Sequence, residues 1–225
     1  MKVIVSYQTL QLPPPYSFAY TLDINIDNDQ VLINFDQEYL NRDTLNEEEI
    51  LNEGFTLDDN FSWKGTLGKV WADYLGKLFE DVTLQDVSSD EGLYIHMAIG
   101  NGKPGMVLDT DFWDYELQEV VQAIYEAAKR ESMMHLDFVF IEDGDKRDIT
   151  LDASFENRKA RVDGDQPLGW DDLRKIMSLA YNEEYEENTS KKPASDGIWV
   201  DFDGQGDFYR VSSKSVQSEL VDLLS

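Results

Sequence analysis

The same order of hydrophobic patterns runs through this chain twice, and that recurrence constrains the fold more than any single motif. In the first half, "SFAYTLDINI" and "QVLINFD" alternate apolar and polar residues around the turn "DND", which predicts a β-hairpin. "LNEEEILNEG" reads as a short helix, with Gly54 placed to end it. "SWKGTLGKVWADYLGKLFED" reads as a longer helix with Ser62 as its N-cap and Leu67, Val70, Trp71, Tyr74 and Leu78 at helical spacing. "GLYIHMAI" and "GMVLD" read as two strands. They are followed by a helix over "DFWDYELQEVVQAIYEAAKR" that carries Trp113, Leu117, Val120, Val121, Ile124 and Ala128 on one face.

The second half repeats this order. "HLDFVFI" and "DITLDASF" flank the turn "EDGDKR", and "RKARV" adds a third strand. "GWDDLRKIMSLAY" is a helix with Leu173, Ile176, Met177 and Ala180 in line, "GIWVDF" and "DFYRV" form another hairpin, and "SKSVQSELVDLL" closes the chain as a helix. "LDINI" at 22–26 is matched to "LDFVF" at 136–140, Trp63 to Trp170, and "DEGLYI" at 90–95 to "SDGIWV" at 195–200. The expectation is an α+β protein built by tandem duplication of a β-hairpin/helix/β-hairpin/helix unit. Residues 1–130 form the first unit, with residues 1–10 as an extra N-terminal strand and the prolines at 13–15 as a stiff linker. Residues 131–225 form the second. Each is expected to make a four-stranded antiparallel sheet with its helices on one face.

Charge bounds the partners. The formal net charge is −27, and residues 1–130 and 131–225 carry −16 and −11 of it. Acidity therefore belongs to the whole surface, which disfavours nucleic acid and anionic membranes and favours a basic protein. With 41% hydrophobic and 12% aromatic residues the chain nonetheless has the material for a packed interior. Cysteine is absent, which removes disulfides, thiolate metal sites and a cysteine nucleophile. No cleavage signature follows the N-terminus and no apolar run approaches the roughly 18 residues of a spanning helix, so a cytoplasmic location is expected.

Two loops imitate binding motifs. "GNGKPG" at 100–105 fits G-x-G-x-x-G, but a phosphate-binding glycine loop must open a helix, and this one is followed by a strand; Pro104 also lacks an N–H. It reads as a hairpin turn, and no cofactor is expected. "DFDGQGD" places Asp201, Asp203, Gln205 and Asp207 at positions 1, 3, 5 and 7 of an EF-hand-like loop with Gly206 at position 6, but Ser212 stands where a glutamate is needed. Asp201, Asp203 and Asp207 are candidate ligands of a weak divalent-cation site; turn formation accounts for them as well.

His96 and His135 are the only histidines, and neither has the spacing of a metal or nucleophile site. Acidic clusters at Glu47–Glu49, Asp58–Asp59, Asp143–Asp148 and Glu183–Glu187 fall in turns and helix ends. Gly68, Ala72 and Gly76 form a smooth stripe on the first long helix, where close packing is expected; Arg174 and Ser178 stand at the matching places of the second copy. The functional expectation is a non-catalytic, acidic interaction protein of inhibitor or immunity type that binds a basic protein. The alternative is a carboxylate-based or cation-dependent hydrolase with its site between the two units.

Overall fold

The computed structural model describes residues 1–86, 93–183, 185 and 189–224, and the chain divides into two compact units, Met1–Arg130 and Glu131–Ser225. The class is α+β, with one antiparallel sheet in each unit.

In the first unit, strict alternation drives the strands together. β1 (Lys2–Thr9) turns Val3, Val5 and Tyr7 inward, β2 (Phe18–Ile26) turns Tyr20, Leu22 and Ile24 inward, and β3 (Val31–Tyr39) turns Val31, Ile33 and Phe35 inward. After a 3-10 turn at Arg42–Thr44 comes α1 (Glu47–Asn52), closed by a reciprocal Asn46–Glu49 capping box. Gly54 follows it at φ +82° and donates its N–H to the Leu51 carbonyl, as the sequence predicts. β4 (Phe61–Leu67), α2 (Lys69–Leu78), β5 (Leu84–Gln85), β6 (Leu93–Ile99), β7 (Gly105–Val107) and α3 (Thr110–Ala127) complete the unit. Its sheet runs β4-β3-β2-β1-β6-β7-β5. Trp71, Leu75, Leu117 and Ile124 from α2 and α3 are buried in its core with Leu22, Ile33, Phe35 and Met97 of the sheet. Phe79 stacks on Trp113, with ring centroids 5.6 Å apart.

The second unit comprises β8 (Met134–Glu142), β9 (Asp145–Ser154), β10 (Lys159–Val162), β11 (Gln166–Leu168), α4 (Trp170–Tyr181), β12 (Gly197–Asp201), β13 (Tyr209–Arg210) and α5 (Lys214–Leu224), with sheet order β11-β10-β9-β8-β12-β13. Leu136, Phe138, Ile149 and Leu151 meet Leu173, Ile176, Leu220 and Leu224 in its core. β8 is apolar on its other face too, where Val139, Ile141 and Trp199 cluster with Phe208.

The two units share an order of strand pairing, in a register that differs from the one expected. β1 pairs with β2 on one side and β6 on the other, and β8 pairs with β9 and β12 in the same way. β1 is therefore the counterpart of β8 and the middle of its sheet, not an extra strand ahead of it. Six strands and two helices correspond in order, so the four-strand expectation is corrected: the sheets have seven and six strands. The correspondence of Trp63 with Trp170 fails as well, because Trp63 lies in β4, whereas Trp170 opens α4. Ser62 is likewise a strand residue, and Gly68 takes the N-cap position of α2. The physical reason is the alternation Phe61, Trp63, Gly65, Leu67 against Ser62, Lys64, Thr66, which has period two. Helical spacing takes over only at Lys69. The Gly68/Ala72/Gly76 stripe shrinks to Ala72 and Gly76, of which Ala72 is buried. The match of 90–95 to 195–200 falls partly on residues outside those described.

Candidate functional site

Gly100–Gly105 joins β6 to β7 as a hairpin turn. Two of its amides are already used: Gly100 N–H donates to the Lys2 carbonyl at 2.7 Å and Gly102 N–H to the Ile99 carbonyl at 2.8 Å. Gly105 lies so close to β5 that an added Cβ would come within 2.7 Å of the Gln85 carbonyl oxygen. The helix nearest in sequence, α3, has its first turn capped by the Asp109 carboxylate, which accepts from Phe112 N–H at 3.0 Å. A carboxylate already occupies the place a phosphate would need.

The Asp201 loop is organised from within. Asp201 is buried at the end of β12, and its carboxylate accepts backbone N–H groups from Asp203 at 3.1 Å, Gly204 at 3.0 Å and Gly206 at 2.6 Å. Burial raises its pKa, and these amide bonds outweigh burial, so the net direction is downward. Asp203 accepts from Gln205 N–H, and Asp207 pairs with Lys191 at 2.8 Å. The Lys191 ammonium also donates to the Gln205 carbonyl at 3.0 Å. The cation beside this loop is thus a lysine. Among the described residues no group of three histidine or carboxylate side chains is arranged to hold a metal ion.

The two histidines fall in different units. His96 lies on the outward face of β6 with its ring stacked on Tyr94. His135 stands between two carboxylates, its Nδ1 2.7 Å from Asp152 and its Nε2 3.3 Å from Asp137. The bond to Asp152, above all, and the second carboxylate raise its pKa.

Most of the acidic clusters serve the chain locally. Asp59 holds Arg42 at 2.6 Å and accepts from Thr56 N–H and hydroxyl, which bring its pKa down against burial. The Arg42 guanidinium lies over Tyr39 and Phe55, 3.9 and 4.7 Å from the ring centroids. Asp143 and Gly144 form the β8–β9 turn at positive φ, and Glu183 accepts from the Ser213 N–H just ahead of α5. Residues 184 and 186–187 of the last cluster lie outside those described.

One concavity with converging polar groups was not anticipated. It is a cavity of about 330 Å³ between β1–β3 and α3, lined by Tyr7, Phe18, Tyr20 and Gln37 from the strands and Val121 and Tyr125 from the helix, among others. Its base follows from register: Tyr7, Tyr20, Gln37 and Phe61 are direct cross-strand neighbours in one row. Tyr7 and Tyr20 stack with centroids 4.5 Å apart. Tyr7 donates to Asp114 at 2.8 Å, and Tyr125 donates to the Gln37 side-chain oxygen at 2.5 Å. Burial raises the Asp114 pKa despite hydrogen bonds from Tyr7 and Gln118. The signal in the sequence was Gln37 itself, a polar residue in the inward phase after Val31, Ile33 and Phe35. Glu116, Glu119 and Glu126 on α3 are also buried, with Glu116 accepting from the Tyr74 hydroxyl.

No protein family, curated protein or solved structure matches this chain. Among the described residues no helix is long and apolar enough to cross a membrane.

Proposed function

We propose that the protein is a non-catalytic interaction protein that binds a basic protein partner through its acidic surface. The observation that supports this reading is how the carboxylates are divided. Those withdrawn from solvent around turns, such as Asp201 and Asp59, are engaged by the chain's own amides or arginine. The exposed ones include Glu47 and Glu48 on the first turn of α1, and Asp143 and Asp145 at the β8–β9 turn. Each unit keeps its own surplus, −16 and −11. A field of one sign steers an oppositely charged partner and speeds its association in a salt-dependent way.

The test is a pull-down from the host at low salt, followed by titration of the recovered partner as a purified protein. Affinity is expected to fall steeply between about 50 and 200 mM salt, in step with screening. Reversing Glu47, Glu48 and Asp143 to lysine is expected to slow association. A stoichiometric partner that binds equally at both salt concentrations, or no partner at all, sinks the reading.

A further inference from the structure

We propose that the cavity between β1–β3 and α3 binds a small, neutral, planar heteroaromatic compound, oriented by the Tyr20 hydroxyl and the Gln37 side-chain amide. This inference is independent of the protein-binding reading above. Tyr20 and Gln37 are each more than nine-tenths buried, at 6% and 8% exposure. The Gln37 oxygen is taken by Tyr125, but its Nε2 donates to none of the described residues, and the Tyr20 hydroxyl also makes no hydrogen bond among them. Burying an amide or hydroxyl without a partner costs about 1–3 kcal/mol, and folded chains rarely leave one so. Among the described residues, no fully enclosed side-chain nitrogen or oxygen lacks a partner. The Gln37 nitrogen and the Tyr20 oxygen must therefore meet open space, and the open space against these side chains on the α3 side is the cavity.

The unmet groups specify the ligand. Gln37 Nε2 can only donate, and it donates to none of the described residues. The ligand must then present acceptors, a carbonyl oxygen or a ring nitrogen at one edge. Tyr7, Phe18, Tyr39 and Tyr125 supply aromatic walls that favour a flat ring. The Asp114 carboxylate behind them and the unit's net −16 oppose an anion. The Gln37 Nε2, which can only donate, opposes a cation. A puckered sugar matches these aromatic walls less well than a flat ring. At about 330 Å³ the volume lies at the small end of ligand sites, which suits one or two fused rings.

The test titrates the full chain with nicotinamide and with uracil, read by calorimetry and by saturation-transfer NMR. Glucose, tetramethylammonium and benzoate serve as controls. At least one of the two heteroaromatic probes is expected to saturate with Kd of about 0.1–1 mM, as the ligand-efficiency range for so few atoms allows. Tyr20→Phe and Gln37→Glu are each expected to weaken it about tenfold or more, the equivalent of one lost hydrogen bond. Ser6→Ala, on the opposite face of β1, is expected to leave it unchanged. If Gln37→Glu fails to fold, the conservative Tyr20→Phe decides alone. The proposal is overturned if neither probe saturates by about 10 mM. It is equally overturned if Tyr20→Phe binds like the parent, or if glucose or tetramethylammonium binds in preference.

Discussion

Trp63 lies across Gly65, two residues along on the same face of β4, so that any Cβ at position 65 would overlap the indole ring. A glycine interrupts a strand, and an aromatic neighbour laid over it restores the missing cover. Gly65→Ala is expected to force the indole outward and lower stability by about 1–2 kcal/mol, in the range of overpacking. Urea denaturation checks the loss, and a red shift of tryptophan emission checks its cause.

Asp201 binds three loop amides while buried, so its carboxylate is stabilised in the ionised form. Because its folded pKa is depressed, its contribution is present above the unfolded value of about 3.9 and is lost as pH falls through the folded value. Asp201→Asn leaves a single acceptor oxygen for those amides and is expected to cost about 1.5–3 kcal/mol at neutral pH. In urea titrations across pH, the gap between parent and variant should close in acid.

His135 has the opposite sign. Its folded pKa is raised, so its contribution is full below the unfolded value of about 6.5 and is lost as pH climbs through the folded value. The urea midpoint of the parent is expected to decline over that interval, while His135→Gln is flat there. NMR titration of the imidazole should give a pKa that drops in Asp152→Asn by more than in Asp137→Asn, following the distances of 2.7 and 3.3 Å.

Arg42 combines an ion pair with two aromatic contacts, and lysine cannot reproduce the flat guanidinium that makes all three. Arg42→Lys is expected to destabilise by about 1–2 kcal/mol, more than the 0–1 kcal/mol of an ordinary surface pair. An equal midpoint for the two proteins in chemical denaturation would show that stacking contributes nothing.

What could be read from the sequence follows the range of the interactions. Hairpins such as β2–β3 and β8–β9 and the helix α3 are written in neighbouring residues, and their positions were legible. β4 was misread because a helical stripe beginning at Lys69 was extended backward over residues of period two. The central place of β1 was illegible for a deeper reason: alternation tells which way Val3 and Val5 point, but not that Val5 meets Met97. The Asp201 loop was legible as a motif, while the lysine beside it comes from ten residues upstream. The tyrosine cavity needed register, since Tyr7, Tyr20 and Gln37 become neighbours only when three strands are aligned. Gln37 alone broke the pattern visibly.

The central position of β1 also sets a timetable. β1 can pair with β2 within microseconds of both being available, yet its other edge waits for β6, which begins at Leu93. During synthesis at about 5–20 residues per second, that edge stays open for several seconds. An unpaired inner strand is a template for the wrong chain. The second unit repeats the arrangement, with β8 waiting for β12. Both sheets are sealed at the middle rather than at the rim, and a like net charge on neighbouring chains opposes mispairing until that happens.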